Sequence, residues 1–248
     1  RWVQLADEPL AQLIDRKIGQ PWRRDPMLLR RLSQYENNEA FLTALNAAKL
    51  ANKQRLAQVI EHQLGLTVNP EAMFDVQIKR LHAYKRQLLH VFGILEAYLA
   101  LKKGEKRPPR VHVFGAKAAP SYQYAKAVIK LMNAVAELVN HDPAVNQSLQ
   151  VAFLPNYGVT LAEQIVPAAD ISEQISLAGT EASGTSNMKL MATGAITLAT
   201  LDGANIEIRQ AAGERAMATF GLTSEQVAFA QQNQSYRAAA QYEADPTL

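Results

Sequence analysis

Apolar residues recur along this chain in two rhythms. Helical spacing without Gly or Pro runs through Ala40–His62 and predicts a long helix, which Gly65 and Pro70 end. Shorter helical patterns cover Leu10–Ile18 and Met27–Leu32, on either side of Gly19-Gln20-Pro21. From Phe74 the rhythm changes. Phe74–Ile78 alternates as a strand does, Val111–Phe114 and Leu149–Leu154 are short apolar runs, Asp170–Ser176 reads as extended, and Ala195–Thr200 as a further strand. Helical patterns fill the gaps at Leu81–Lys103, Tyr122–Asn140, Leu161–Ile165 and after Thr185. Strands and helices in alternation predict an α/β fold with a doubly wound, mostly parallel sheet. Ligands of such sheets bind beyond the carboxyl ends of the strands, where the loops that follow them gather. Residues 223–240 have a helical pattern, but Ala238–Leu248 lacks apolar partners and is expected to fray. The expected organisation is a helical entry segment over residues 1–70, a sheet domain over 71–222, and a tail over 223–248.

Composition narrows the function classes. The 248 residues are 48% hydrophobic and 20% charged, with a formal charge of +3. That suits binding of anions such as phosphate and is too weak a bias to argue for nucleic acid. Cysteine is absent, so no disulfide framework or thiolate metal site exists and a reducing cytoplasm is permitted. No apolar run is long enough to span a bilayer. The chain opens on Arg1-Trp2 without a methionine, which reads as a piece of a longer protein. No His/Asp/Glu cluster has metal-ligand spacing, so no metal is expected. There is no nucleophile elbow, and Gly115–Pro120 lacks the later glycines of a dinucleotide fingerprint.

The chemistry concentrates in Glu181-Ala182-Ser183-Gly184-Thr185-Ser186-Asn187-Met188-Lys189. Gly184 admits a close ligand, and Ser183 or Thr185 is placed to cap a helix whose first amides suit a phosphate. Lys189 follows Thr185 by one turn on the same face, a rise of about 6 Å. That is comparable to the span from phosphate to aldehyde across a pyridoxal ring. The same pattern also fits close packing before a helix with a solvated lysine. The junction after Phe74–Ile78 carries Lys79, Arg80, His82, Lys85 and Arg86, which reads either as an anion site at a helix start or as a solvated basic face.

The lysine run resembles the pyridoxal-phosphate motif of the α-glucan phosphorylases, the glycogen, starch and maltodextrin enzymes. The likeness continues in Pro167–Ser176 and Leu201–Ile208, and in two distant stretches, Phe74–Leu89 and Gly115–Pro120. It runs from Arg1 to about Gly221 and covers part of the family's C-terminal domain. The resemblance implies the Rossmann-like half of a two-domain glycosyltransferase-B-type fold. By it, Lys189 carries pyridoxal 5′-phosphate as a Schiff base, Thr185 with the amides around Gly184 holds the cofactor's phosphate, and Lys79 lies close by. Tyr157, Val159, Ala162 and Gln174 line the cofactor pocket. Arg80 and Lys85 grip inorganic phosphate or the phosphate of glucose 1-phosphate, and with Lys189 form the catalytic set. Glu181, Ser183 and Gly184 bind glucosyl hydroxyls, while His82 and Tyr84 lie nearby without an assigned role.

The implied reaction is phosphorolysis of α-1,4-glucan to glucose 1-phosphate with retention, the cofactor's 5′-phosphate serving as acid and base. The family is cytoplasmic and commonly homodimeric, and its N-terminal domain supplies the other wall of the cleft. This piece alone is therefore expected to be inactive, with apolar surface exposed. Ser186 and Ser121 stand where the family usually has glycine, Ala83 stands for its Glu, and Gly158 replaces a larger residue. Thr193 and the run Ala216–Gly221 also depart from the pattern, which puts cofactor affinity in question. Two other readings remain at this point. One is a nucleotide-sugar glycosyltransferase of the same fold, and the other is a domain that binds cofactor or sugar without turnover. Preferred glucan and control by phosphorylation leave no mark in this sequence.

Overall fold

The computed structural model describes residues 1–245. Three helices precede the sheet: α1 (Trp2–Ala6), α2 (Glu8–Ile18) and α3 (Glu39–Leu64). Strands and helices then alternate as β1 (Met73–Ile78), α4 (Gln87–Lys102), β2 (Arg110–Gly115), α5 (Gln123–Asn140), β3 (Leu149–Leu154), α6 (Val159–Ala168), β4 (Ile171–Gln174), α7 (Ser186–Ala192), β5 (Ile196–Ala199), α8 (Asn205–Ala212) and β6 (Met217–Thr219). Helices α9 (Ser224–Gln232) and α10 (Ala238–Ala244) close the described chain.

The sheet has six strands in the order β3-β2-β1-β4-β5-β6, every pair parallel. The chain winds outward from β1 to β3, then returns to lay β4 on the other side of β1. The β1/β4 seam is thus the topological switch point, where a crevice opens at the carboxyl edge. The strands are short and apolar because both faces are covered. On one face Phe74, Val76 and Ile78 pack with Leu56 and Ile60 of α3 and Ile165 of α6. On the other, Phe114 and Val151 pack with Val91 and Ile94 of α4 and Met132 of α5.

Helix α3 starts where Asn38 Oδ1 accepts from the Phe41 amide at 2.9 Å. Half-buried Lys49 on this helix donates to three carbonyls, of Pro167 (3.0 Å), Ala169 (2.8 Å) and Thr193 (2.8 Å). Lys53 pairs with Asp170 at 2.7 Å, and the same Asp170 oxygen accepts the Phe74 amide at 2.8 Å. The long helix is thereby tied to the ends of α6 and α7 and to the start of β4.

Several elements differ from the sequence expectation. The helix expected over Leu81–Lys103 begins only at Gln87, because Arg86 has a left-handed backbone, φ 55°. The residues before it form an extended segment and a short 3₁₀ turn, Ala83–Lys85. Met27–Leu32 lies in a 3₁₀ run, Pro26–Tyr35, rather than an α-helix. Strand β6 was not among the expected strands. Ala238–Ala244, expected to fray, is helical with no buried residue, and the last three residues of that expectation lie outside the described residues. Among the described residues, no helix is long and apolar enough to cross a membrane.

Candidate active site

Two loops flank the switch point. The first leaves β1 as Lys79–Arg86. It is fastened to the loop after β2 by backbone hydrogen bonds, Lys79 N to Gly115 O and Leu81 N to Lys117 O, both 3.0 Å. The Tyr122 hydroxyl accepts from Ala83 N at 3.2 Å, and the His82 ring lies against Tyr84 and Tyr122 with centroids 4.7 and 5.1 Å away. His82 is therefore part of a small aromatic cluster. Arg86 turns into the second loop and donates to Ile175 O at 2.7 Å and Ser176 O at 3.3 Å. Its positive φ is held by those bonds.

The second loop leaves β4 and reaches α7. Its shape is set by Asp202, which is buried and accepts from Ser176 Oγ (2.6 Å), Gly179 N (2.9 Å), Glu181 N (2.9 Å) and Gly203 N (3.1 Å). Next to it, Gly203 has φ 53°, and a Cβ there would come within 2.8 Å of Ser183 O and 2.9 Å of Glu181 O. Only glycine lets these backbones pass so closely. Asn205 receives the Asn187 side chain at 2.9 Å and donates to Gln174 O and Thr200 O, fixing α7 to the ends of β4 and β5.

Lys85 Nζ and Glu181 Oε2 meet at 2.9 Å and join the two loops. Sequence reasoning gave these two residues separate tasks, and the fold pairs them directly. Burial pulls the Lys85 pKa down, but the bonds and charges of Glu181 and Tyr84 outweigh it, and the net shift is upward. Lys79 is buried beside the pair, and its ammonium has no hydrogen-bond partner among the described residues. Burial, then the Lys85 charge, pushes its pKa down to about 8, against the pull of Glu181 and Asp202. The site thus holds a buried cation with no counter-ion hydrogen-bonded to it among the described residues, which an anion would stabilise.

Lys189 sits on α7 with Nζ 4.3 Å above the ring of Trp2. Trp2 was not singled out from the sequence. The two residues lie at opposite ends of the chain, and no spacing links them. Thr185 is the N-cap of α7, but its hydroxyl makes no capping hydrogen bond, nor does Ser183, whose Oγ donates to Gly184 O at 3.1 Å. The expected side-chain cap is therefore missing, and both exposed hydroxyls face solvent. Gly184 adopts φ 81°, as a tight approach to the helix requires. Gln174 is buried and donates to Ser172 Oγ (3.0 Å) and Ser186 Oγ (3.4 Å), so the hydroxyl at Ser186 has a partner. Tyr157 is half-buried against Gly115, and Ala162 is buried on α6. Val159 is 65% exposed, and Arg80 is exposed with no ion pair among the described residues. These two are not drawn into the Lys79–Lys85–Glu181 group.

Comparison with known proteins follows the same lines. A family model described as "Carbohydrate phosphorylase" matches residues 1–248. The chain is 49% identical over 247 residues to a glycogen phosphorylase of Bacillus subtilis, covering 99% of this chain and 31% of that protein. It is 46% identical to the liver-form glycogen phosphorylase of Bos taurus (100% of this chain, 29% of that protein). Identity is again 46% to the glycogen phosphorylase of Haemophilus influenzae (100% and 30%). The chain thus spans about a third of the length of the curated relatives it matches.

Proposed function

This chain belongs to the carbohydrate phosphorylase family, and from that premise we propose that it is the part of an α-1,4-glucan phosphorylase that holds pyridoxal 5′-phosphate and the substrate phosphate. The reaction moves the terminal glucosyl unit of a glucan onto inorganic phosphate, giving glucose 1-phosphate with retained configuration. What carries the reading is the Lys85–Glu181 bridge beside unpartnered, buried Lys79. It sets the basic corner after β1 against the loop that leads to Lys189.

The residues present fit the cofactor. Lys79 is a buried cation short of an anion, the Thr185 hydroxyl is uncommitted, and Lys189 offers an amine one turn further on. Lys79, Thr185 and the amides near Gly184 would hold the 5′-phosphate. Lys189 would hold the aldehyde end, with Trp2, Tyr157, Val159, Ala162 and Gln174 around the ring. When bound, the group supplies a phosphate whose second pKa, about 6, suits proton exchange near neutrality.

The protein's own residues do the rest. Arg80 and Lys85 orient the substrate phosphate and offset its repulsion with a second phosphate nearby, Arg as a planar fork and Lys as a point charge. Glu181 accepts from a glucosyl hydroxyl, and Ser183 and Gly184 add polar contacts to the sugar. The C1–O bond to the leaving glucan breaks as the substrate phosphate passes its proton to the departing oxygen, and a phosphate oxygen then bonds to C1. The positive charge that develops at C1 is met by the phosphate that Arg80 and Lys85 hold in place. Residues 71–222 form the domain that carries this machinery, residues 1–70 brace it, and residues 223–248 are its tail. The remaining length of the relatives supplies the opposite wall, so the isolated chain turns over no substrate. The compartment is the cytoplasm.

Replacing Arg80 with Ala separates the two substrates. Loss of a charge-assisted contact raises the apparent KM for phosphate about 10- to 100-fold, with little change in glucan KM. Initial rates of the full-length protein that carries this chain, with each substrate varied in turn, decide it, and equal effects on both would remove Arg80 from the phosphate site.

A further inference from the structure

The face of β1 away from α3 is polar. Asp75 and Gln77 lie on it, with His112 of β2 beside them and His90 of α4 above. His90 Nε2 and His112 Nδ1 are 2.8 Å apart. Asp75 Oδ1 is 3.9 Å from His90 Nε2, and Asp75 Oδ2 is 3.7 Å from His112 Nδ1. One ligand atom from each of the three residues lies within 4.8 Å of the others. Asp75 is 1% exposed and His112 4%; the Asp75 carboxyl shares a hydrogen bond with buried Glu173, while His112 Nε2 has no hydrogen-bond partner among the described residues. Arg110 Nη1 donates to the other Asp75 oxygen at 3.3 Å. Oδ1, the oxygen that Arg110 does not engage, faces His90.

The hydrogen bonds fix the protons on His90. Gln77 Nε2 donates to Lys85 O at 3.4 Å, so Gln77 Oε1 faces His90 Nδ1, 3.1 Å away, and accepts its proton. His90 Nε2 therefore accepts from His112 Nδ1–H, and an ion bound between them takes the place of that proton, which moves to His112 Nε2. A ring that donates outward to an amide oxygen while its other nitrogen points inward is how a metal-bound histidine is oriented. A cavity of about 420 Å³ reaches Asp75, His90, His112 and Glu173 from beneath α4 and gives an entry path.

We propose that Asp75, His90 and His112 form a binding site for a divalent transition-metal ion with the ligand preferences of zinc, its fourth position open to this cavity. The 2.8 and 3.9 Å separations about His90 Nε2 are each less than twice a Zn–N or Zn–O bond of about 2 Å, so a small side-chain adjustment lets one ion reach all three donors. Two imidazoles select against Mg²⁺ and Ca²⁺, which favour all-oxygen shells. An ion there gives the buried Asp75 carboxylate and both imidazoles one common partner. It ties α4 to β1 and β2, and through Gln77 it reaches the Lys85 backbone. None of this depends on the glucan phosphorylase reading.

The test is a Co²⁺ titration of the chelator-stripped protein that carries this chain. One equivalent gives saturable visible d–d bands of four-coordinate intensity, and Zn²⁺ but not Mg²⁺ erases them. Zn²⁺ at a hundredfold excess over its dissociation constant raises the melting temperature by about 5–10 °C. Asp75→Asn and His112→Gln each weaken Co²⁺ binding at least tenfold, whereas His141→Gln, at an exposed ring, leaves it unchanged. Absence of saturable bands in the unsubstituted protein, a measurement that requires no variant to fold, overturns the proposal. Bands that persist undiminished in both ligand variants do so too.

Discussion

Replacing Lys189 with Ala is expected to abolish cofactor retention. The lysine makes no ion pair, and its ammonium only rests over Trp2. Its loss therefore leaves the packing of α7, anchored through buried Leu190 and Asn187, intact. A protein reconstituted with pyridoxal 5′-phosphate and passed through a desalting column should show near-ultraviolet absorbance and fluorescence when Lys189 is present and neither when it is Ala. Borohydride reduction should fix the label to Lys189 alone. The melting temperature of the cofactor-free forms should agree within a degree or two, since only a half-exposed side chain is trimmed. A Lys189→Ala protein that kept the chromophore would overturn the assignment.

The second large effect is expected at Asp202, which carries no chemistry. Oδ1 accepts from Gly179 N and Gly203 N, and Oδ2 accepts from Ser176 Oγ and Glu181 N. In Asp202→Asn, whichever oxygen becomes an amide nitrogen turns a donor toward at least one fixed backbone N–H. Buried and unrelieved, that clash costs about 2–4 kcal/mol. The loop that carries Glu181 then loses the register that sets it against Lys85. Chemical denaturation should report the stability loss, and cofactor affinity should fall with it. Unchanged denaturation midpoints would show that the loop is held by other contacts.

Much of this was legible in the residues. The alternation in Phe74–Ile78, the apolar runs at Val111–Phe114 and Leu149–Leu154, and the intervening helical patterns sufficed for a parallel doubly wound sheet, because burial on both faces leaves few other solutions. The small residues around Gly184 and the lysine one turn later marked the candidate site. What stayed hidden was set by contacts across the chain. Periodicity runs on through Leu81–Arg86, so nothing local announces the left-handed Arg86. Its conformation is fixed by carbonyls of Ile175 and Ser176, far along the sequence. The buried organising role of Asp202 is invisible for the same reason, although Asp202 and Gly203 both lie in Leu201–Ile208, a stretch that carries the family likeness. His90 and His112 carry no ligand spacing at all, and adjacent secondary-structure elements bring them together with Asp75. The absence of a metal cluster was expected from spacing alone, and spacing does not see such an arrangement.

The single ammonium of Lys49, caught by carbonyls from the ends of two other helices and the turn before β4, makes the long amino-terminal helix and the lysine-bearing helix one breathing unit. Neither lifts from the sheet without stranding polar groups of the other in a dry interior. Slow-exchanging amides in Ala48–Leu56 and Leu190–Thr193 should accordingly lose protection with a shared opening free energy, however far apart they stand in the chain.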